Sequence, residues 1–223
     1  MTRLVHPVLE EPIEINSGAA TVLVLENAKA FRDLTFSLLD ASLGLDSDVC
    51  LSREYTPLVF SKSADLISFP PNADPNSRRI LNYIHQQLSD IAVSENYYIK
   101  TSNICSEINR YILEILDEFP CNLTAVEIDP LSLIKAVKAG ADITDISLAE
   151  RLCDYMEIVS LCSKIEIFIF ISLKDYLERE ELREFYKFAA YKGYKLMLVE
   201  SHERDKIKGE VKTVYDCDYC RII

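Results

Sequence analysis

The residues of this chain that are best suited to chemistry are cationic. They occur in pairs three residues apart or adjacent, so that one face of a predicted helix can carry both charges. Lysine and arginine in such pairs can contact phosphate groups, although an ordinary solvated surface is the more common reason for each pair. The candidate phosphate contacts are Lys29, Arg32, Arg78, Arg79, Lys135 and Lys138.

A second group is acidic and flanks the turn between two predicted helices. Hard cations such as calcium bind several clustered oxygen atoms, which makes this group a candidate metal site. Solvated carboxylates at a helix end are the alternative interpretation. The candidate ligands are Glu114, Asp117, Glu118, Glu127 and Asp129.

The motifs of common enzymes do not occur in the sequence. The five glycines form neither G-x-x-x-x-G-K nor G-x-G-x-x-G, and the apolar segment 165–171 runs into Ser172 instead of a magnesium-binding acid. His6, His85 and His202 are isolated, and neither H-E-x-x-H nor G-x-S-x-G occurs. We therefore expect no nucleotide site of the usual type and no enzymatic activity, and we expect His85 and His202 to be solvated.

Seven cysteines at irregular spacing argue against a secreted disulfide framework and favour reduced thiols. Cys217 and Cys220 form a lone C-x-x-C pair. A structural zinc site needs four ligands, so zinc binding, a redox pair and incidental packing all stay open for these two cysteines.

The net charge of −12 by itself disfavours nucleic acid as a partner. Net charge does not report distribution, however, and an oligomer can combine an acidic exterior with a basic face. The N-terminal residues lack a signal-peptide pattern, and the longest apolar run is too short to span a bilayer. We expect a cytoplasmic protein that has no membrane partner.

The predicted elements fall into three parts. Strand and helix signals alternate in the first third, where Ala20 to Leu25 predicts a buried strand and Asn27 the cap of a following helix. The turn-rich segment 69–77 then precedes four amphipathic helices. The last third returns to strands, at 165–171, 195–199, 211–215 and 219–223, around one helix that Gly193 ends.

This order predicts an α/β protein in which a helical segment interrupts the sheet-forming parts. We expect residues 1–72 and 163–223 to form one α/β head domain. Residues 73–162 would then form a helical leg inserted into it.

The whole chain resembles the Csn-two family, the accessory acquisition proteins of type II-A CRISPR systems. The ordered set of segments carries the resemblance. The matching segments are Leu9 to Ile15, Thr21 to Asn27 with Phe31, Asp74 to Ser77, Leu133 to Ala136, Phe168 to Ile171, Asp175 to Leu177 and Leu196 to Glu200.

The resemblance implies a degenerate P-loop-like head and a homotetrameric ring whose central hole accepts double-stranded DNA ends without sequence preference. It also implies a role in spacer acquisition, with the type II-A integrase proteins and the RNA-guided nuclease as partners. Lys135 matches a basic position of the family, whereas the other five cations are candidates from their spacing. Calcium is a possible cofactor, although neutral residues at 121–126 replace a denser acidic run of the family.

Two other functions fit the same sequence. One is a protein–protein scaffold that uses the degenerate head and never touches DNA, which the scarcity of clustered cations favours. The other is an atypical nucleotide hydrolase, which would release phosphate in the presence of magnesium.

Overall fold

The computed structural model describes residues 1–222, which divide into two compact units. The head comprises Met1–Asp74 together with the chain from Thr144 onward. The leg comprises Pro75–Ile143 and is thus an insertion in the sequence of the head.

Nine strands are found among the described residues, and all of them belong to the head. They are β1 (Thr2–Val5), β2 (Ile13–Ile15), β3 (Ala20–Leu25), β4 (Cys50–Arg53), β5 (Thr56–Leu58), β6 (Ala64–Ile67), β7 (Ile167–Ile171), β8 (Lys195–Glu200) and β9 (Glu210–Tyr215).

The α-helices of the described residues are divided between the head and the leg. They are α1 (Ala28–Ser42), α2 (Phe60–Ser63), α3 (Arg78–Ala92), α4 (Tyr98–Asp117), α5 (Pro130–Ala136), α6 (Leu148–Ser163) and α7 (Arg179–Lys192). Helices α3, α4 and α5 lie in the leg, and the others lie in the head.

The head contains two sheets. A parallel sheet has the strand order β6-β7-β8-β3-β9, and an antiparallel sheet has the order β2-β1-β4-β5. The parallel sheet combines β3 and β6 from the first part of the chain with β7, β8 and β9 from the last part. The two sequence segments of the head are therefore held together by backbone hydrogen bonds.

Both faces of the parallel sheet are buried, which explains the continuous apolar runs in its strands. In β7, Ile167, Ile169 and Ile171 join the core that includes Leu34 and Leu38 of α1. The alternate residues point to the opposite face, where the ring of Phe170 lies 5.5 Å from that of Phe185 of α7, in an edge-to-face contact.

A buried polar network accompanies this apolar core. Lys174 Nζ lies 2.7 Å from Glu210 Oε1, and the two side chains are 3% and 0% exposed. The Tyr186 hydroxyl donates to the same carboxylate, and burial raises the pKa of Tyr186. Because these charged groups are paired, their burial is tolerated, whereas removal of one partner would leave an unpaired charge in the core.

The leg has far less buried surface. Helix α3 packs against α5, and Ile80 and His85 of α3 are buried. Helix α4 is apolar around much of its circumference, yet Cys105 is its only buried residue. The sequence predicts that an apolar stripe from Ile104 to Phe119, at three- and four-residue intervals, buries one face of this helix. The stripe is instead largely exposed: Ile115 is 47% and Phe119 57% exposed.

The leg is shorter than the predicted insertion of 73–162. Helix α6 belongs to the head, where Leu152, Met156 and Val159 are fully buried. The Tyr155 hydroxyl also donates to Asp65 Oδ2 at 2.8 Å. The amphipathic pattern of α6 correctly predicted a buried face, but it could not tell which unit would cover that face.

Several predicted elements differ from the observed ones. Strands β1, β4 and β6 were missed, because each has only four residues and a mixed burial pattern. The segment Tyr55 to Phe60, whose sequence predicts a single strand, gives the shorter β5 and the start of α2. At 219–223 an isolated bridge from Tyr215 to Arg221 replaces the predicted edge strand, and Ile223 lies outside the described residues.

Candidate nucleic-acid interface

The first candidate surface is the exposed face of α1. The Asn27 side chain caps this helix by accepting from the N–H groups of Lys29 and Ala30. Lys29 and Arg32 are both exposed and share one face, as their spacing predicts. Arg32 pairs with Asp33 at 3.3 Å, whereas Lys29 has no ion pair among residues 1–222.

The same face of α1 continues as an apolar stripe. Phe36 is 60%, Leu39 40% and Leu43 66% exposed. These residues follow Arg32 at intervals of three and four, so the helix presents two cations and then three large apolar side chains on one face. No other element of residues 1–222 buries this stripe.

The second candidate surface lies in the leg. Arg78 and Arg79 begin α3, Lys135 lies in the last turn of α5, and Lys138 follows that helix in a left-handed conformation at φ +53°. All four side chains are exposed. None of them forms an ion pair with a carboxylate in the part of the chain that the structure describes.

Helix α3, which carries Arg78 and Arg79, is held next to the segment that follows α5 and Lys138. The Asn76 side chain exchanges two hydrogen bonds with the backbone of Ala141, at 2.8 and 3.0 Å. His85 Nε2 lies 2.6 Å from the Ala139 carbonyl oxygen. The expectation of a solvated His85 is therefore wrong, because this ring ties the segment after Lys138 to α3. His202, by contrast, is exposed as expected.

The five candidate calcium ligands do not converge. Among residues 1–222, no group of three or more histidine, cysteine, aspartate or glutamate side chains could hold a metal ion. Glu114 lies 3.9 Å from Arg110, Asp117 ends α4, and Glu118 follows that helix. Glu114, Asp117, Glu118, Glu127 and Asp129 therefore form no metal-binding group within the described residues of one chain, and calcium binding stays a prediction.

Asp129 has a structural role instead. Its carboxylate accepts from the Ser132 N–H at 2.7 Å and caps α5, and this hydrogen bond lowers the pKa of Asp129. Glu127 and Asp129 both line a leg cavity of about 490 Å³ next to Asn109. Two carboxylates can attract a cation there, but they do not complete a coordination shell.

The carboxyl edge of the parallel sheet, where nucleotides bind in open α/β folds, lacks a phosphate-binding loop. Only Glu26 and Asn27 separate the end of β3 from the start of α1, and the Asn27 side chain occupies the N-terminal N–H groups of that helix. Ser172 follows β7, as the sequence predicts. Glu200 ends β8 and accepts from the Lys174 N–H, and burial raises the pKa of Glu200 to about 7.

Cys217 and Cys220 lie in a turn after β9. The Asp216 carboxylate accepts from the N–H groups of Asp218 and Cys220, and the Asn27 side chain donates to the Cys217 carbonyl oxygen. Both cysteines are exposed free thiols, so packing in a core does not explain them.

Three further cations that the sequence-based selection did not include converge on one cavity of the head. They are Arg183 and Lys187 of α7 and Lys208 from the turn before β9. The four-residue spacing of the first two was a visible signal. The position of Lys208 gave no such signal, because it depends on the strand order of the parallel sheet, which neighbouring residues in the sequence do not reveal.

No helix within residues 1–222 is long and apolar enough to cross a membrane. Among solved structures, the crystal structure of Stu0660 of Streptococcus thermophilus is similar, with a TM-score of 0.56 and 13% identity over 97% of this chain and 74% of that chain. A nucleotide-free ATP-binding cassette from an ABC transporter matches with a TM-score of 0.47 and 13% identity, over 97% and 87% of the respective chains. The predicted α/β class with an inserted helical unit is confirmed.

The sequence also matches a family model. The model described as "CRISPR-associated protein (Cas_Csn2)" matches residues 44–219, which cover the leg and most of the head and amount to well over half of the chain. The chain therefore belongs to the Cas_Csn2 family of CRISPR-associated proteins.

Proposed function

We propose that this protein is a non-enzymatic, sequence-independent double-stranded-DNA-binding protein that serves spacer acquisition in antiviral CRISPR defence. In this proposal it assembles as a homotetrameric ring that accepts DNA ends. Its further partners would be the type II-A integrase proteins and the RNA-guided nuclease.

The observation that carries the proposal is a set of exposed cations that form no ion pair among the described residues of a strongly acidic chain. Lys29 in the head and Arg78, Arg79, Lys135 and Lys138 in the leg form no ion pair within residues 1–222. In contrast, all four cations of α7 pair with acidic residues, two of them one turn away on the same helix. Unpaired exposed cations are free to replace the counterions of a phosphate backbone.

The net charge of −12 is compatible with this role when the charges are unevenly distributed. A ring that lines its hole with the unpaired cations and turns its carboxylates outward would bind the backbone without reading bases. Its affinity would then fall steeply as the salt concentration rises, because each phosphate contact releases counterions.

Self-association is supported by the apolar surfaces that a single chain leaves uncovered. On α4, Ile99 is 73%, Tyr111 61% and Leu113 56% exposed. A helix face with this many large apolar residues is normally buried against another element. The Phe36–Leu43 stripe of α1 is a second uncovered surface. In a ring, further copies of the same chain would cover both surfaces.

The proposal assigns no catalytic step to the head. The connection from β3 to α1 has two residues and no glycine, so it cannot wrap around a triphosphate as a P-loop does. Calcium stays a proposal from the family resemblance, and a complete site would need carboxylates from more than one chain.

Salt titration of duplex binding tests this function. We expect purified protein to bind a short blunt duplex of arbitrary sequence, with the logarithm of affinity falling linearly with the logarithm of salt concentration. A slope of roughly −0.9 for each phosphate contact is the expectation for B-DNA. Absence of salt-sensitive duplex binding would show that the DNA role is wrong.

The excess of 36 acidic over 24 basic residues favours one alternative, a protein–protein scaffold that does not bind DNA. Under that alternative the chain would associate with its partners while showing no salt-dependent affinity for duplex. An atypical nucleotide hydrolase is tested separately, by phosphate release from nucleoside triphosphates with magnesium, for which we expect no signal.

A further inference from the structure

A cavity of about 530 Å³ lies at the amino edge of the parallel sheet, opposite to the edge where nucleotides bind in related α/β folds. The loop before β3, the turn before β9 and the part of α7 from Arg183 to Ala190 form its walls. Its principal lining residues are Gly18, Arg183, Tyr186, Lys187, Lys208 and Gly209.

The charges that line this cavity all have one sign. Arg183, Lys187 and Lys208 line it together, and no carboxylate is part of its wall. Lys208 has no ion pair within residues 1–222, and the Arg183 Nε atom is buried without a hydrogen-bond partner. Because Lys208 has no carboxylate partner among these residues, its ammonium group is available to an anion that enters the cavity.

The existing partners of the other two cations do not block the cavity. Arg183 pairs with Glu180 and Lys187 with Glu184, each at 2.7 Å along the exposed side of α7. Exposed pairs of this kind contribute little to stability, so both cations can turn toward a ligand at small cost.

The backbone also leaves room for a ligand. An added Cβ at Gly18 or at Gly209 would meet no atom within 4 Å, and Gly209 adopts φ +102°, a conformation that favours glycine. The main chain therefore borders open space at both positions, where no side chain of its own would obstruct an approaching anion.

In a second basic cavity of the head, carboxylates neutralise the cations. Lys174, Arg179 and Arg204 line a space of about 340 Å³ together with Asp205. Each of these cations is paired, with Glu210, Asp205 and Asp175 respectively. All three cations of that cavity are therefore paired and one carboxylate lies in its wall, whereas the Arg183–Lys187–Lys208 cavity has no carboxylate in its wall and Lys208 is unpaired among residues 1–222.

We propose that the Arg183–Lys187–Lys208 cavity binds a phosphate group. Two sources present this chemistry: a phosphodiester of a duplex backbone, and a free phosphate compound. Binding of a duplex phosphodiester rests on the DNA-binding function proposed above, whereas binding of a free phosphate compound does not. An experiment can therefore refute one of the two without refuting the other.

The test uses the full-length variant Lys208→Glu, with Lys206→Glu as its matched control. Both lysines are exposed and lie two residues apart, but only Lys208 lines the cavity. Binding of a short blunt duplex and of pyrophosphate is measured for each protein at fixed ionic strength. We expect Lys208→Glu to weaken binding of at least one probe by roughly tenfold relative to Lys206→Glu.

The two probes identify the source. Selective loss of duplex affinity assigns the cavity to the DNA backbone, and selective loss of pyrophosphate affinity assigns it to a free phosphate compound. A second variant, Lys187→Gln, should weaken the same probe while its thermal unfolding stays close to that of the parent protein. Equal behaviour of Lys208→Glu and Lys206→Glu with both probes, or no binding of either probe by the parent protein, would overturn the proposal.

Discussion

The head and the leg bury their apolar side chains to different extents. In the head, all five residues of β7 are buried, and helices α1 and α7 lie over opposite faces of the parallel sheet. In the leg, α4 has twenty residues and buries only Cys105. The head therefore has a complete core, whereas the leg leaves apolar surface exposed that the proposed assembly would cover.

This comparison predicts that the stability of one chain and its assembly with other chains depend on different residues. Changes in the core of the head should lower the free energy of unfolding of one chain. Changes on α4 should leave that free energy nearly unchanged and alter the number of chains in the particle. The following predictions are ordered by the size of the expected effect.

Truncation of a buried aromatic residue in the head should have the largest effect. Phe170→Ala removes a fully buried ring and its contact with Phe185. We expect a loss of about 3–5 kcal/mol in the free energy of unfolding, measured by urea denaturation. The matched change in the leg is Tyr111→Ala, which removes an exposed ring and should cost less than about 0.5 kcal/mol. A similar loss for both variants would contradict the contrast between the units.

The buried carboxylate of Glu200 gives the head a pH dependence. Burial raises its pKa from 4.5 to about 7, so the folded chain binds more protons than the unfolded chain between these values. Stability should therefore be highest below the unfolded pKa and should fall as the pH rises through about 7. At about 1.4 kcal/mol for each pKa unit, the cost is on the order of 3 kcal/mol.

The variant Glu200→Gln should remove most of this pH dependence, because the amide oxygen can still accept from the Lys174 N–H and carries no charge. Urea midpoints measured at about pH 5 and about pH 8 provide the check. The exposed Glu10→Gln serves as the control and should retain the slope of the parent protein. A parental slope in Glu200→Gln would show that other groups cause the pH dependence.

The sequence was sufficient where local signals and burial agreed. Strand β3 and helix α1 lie where they were predicted, because the strand is buried on both faces and Asn27 provides a strong N-cap. Helix α6 was predicted as an element but assigned to the wrong unit, because periodicity shows that a face is buried without showing what covers it.

The candidate site was less predictable than the fold. The spacing of Lys29 and Arg32 correctly predicted a shared exposed face, since both lie on one helix. The carboxylates from Glu114 to Asp129 are close in sequence yet form no metal group among residues 1–222, because Asp129 caps a helix and Glu114 faces Arg110. Convergence of side chains from different elements depends on tertiary packing, which no spacing rule supplies.

Assembly should depend on α4. The double change Ile99→Ser with Leu113→Ser replaces two apolar side chains that are 73% and 56% exposed. We expect light scattering to show a smaller particle than the parent protein at equal concentration, while the circular dichroism spectrum stays the same. The control is Val126→Ser, which is 95% exposed and lies outside α4. An unchanged particle mass for the α4 variant would show that this helix is not part of the proposed interface.

Charge reversal at a single leg cation should have the smallest effect. Lys135→Glu removes one phosphate contact, so we expect the salt slope of duplex binding to decrease in magnitude by about 1. Lys62→Glu, an exposed lysine of the head that is not a candidate contact, is the control and should keep the parental slope. Equal slopes for the two variants would exclude Lys135 from the DNA surface.

The central claim is that the chain forms a ring that accepts DNA at its ends. The direct test compares binding of a linear duplex with binding of a closed circular duplex of the same sequence. The particle mass is followed by light scattering with and without calcium. The account predicts binding of the linear form alone, by a particle of about four chains. Equal binding of both forms would contradict threading at ends and indicate an open surface site, and binding of neither would favour the scaffold.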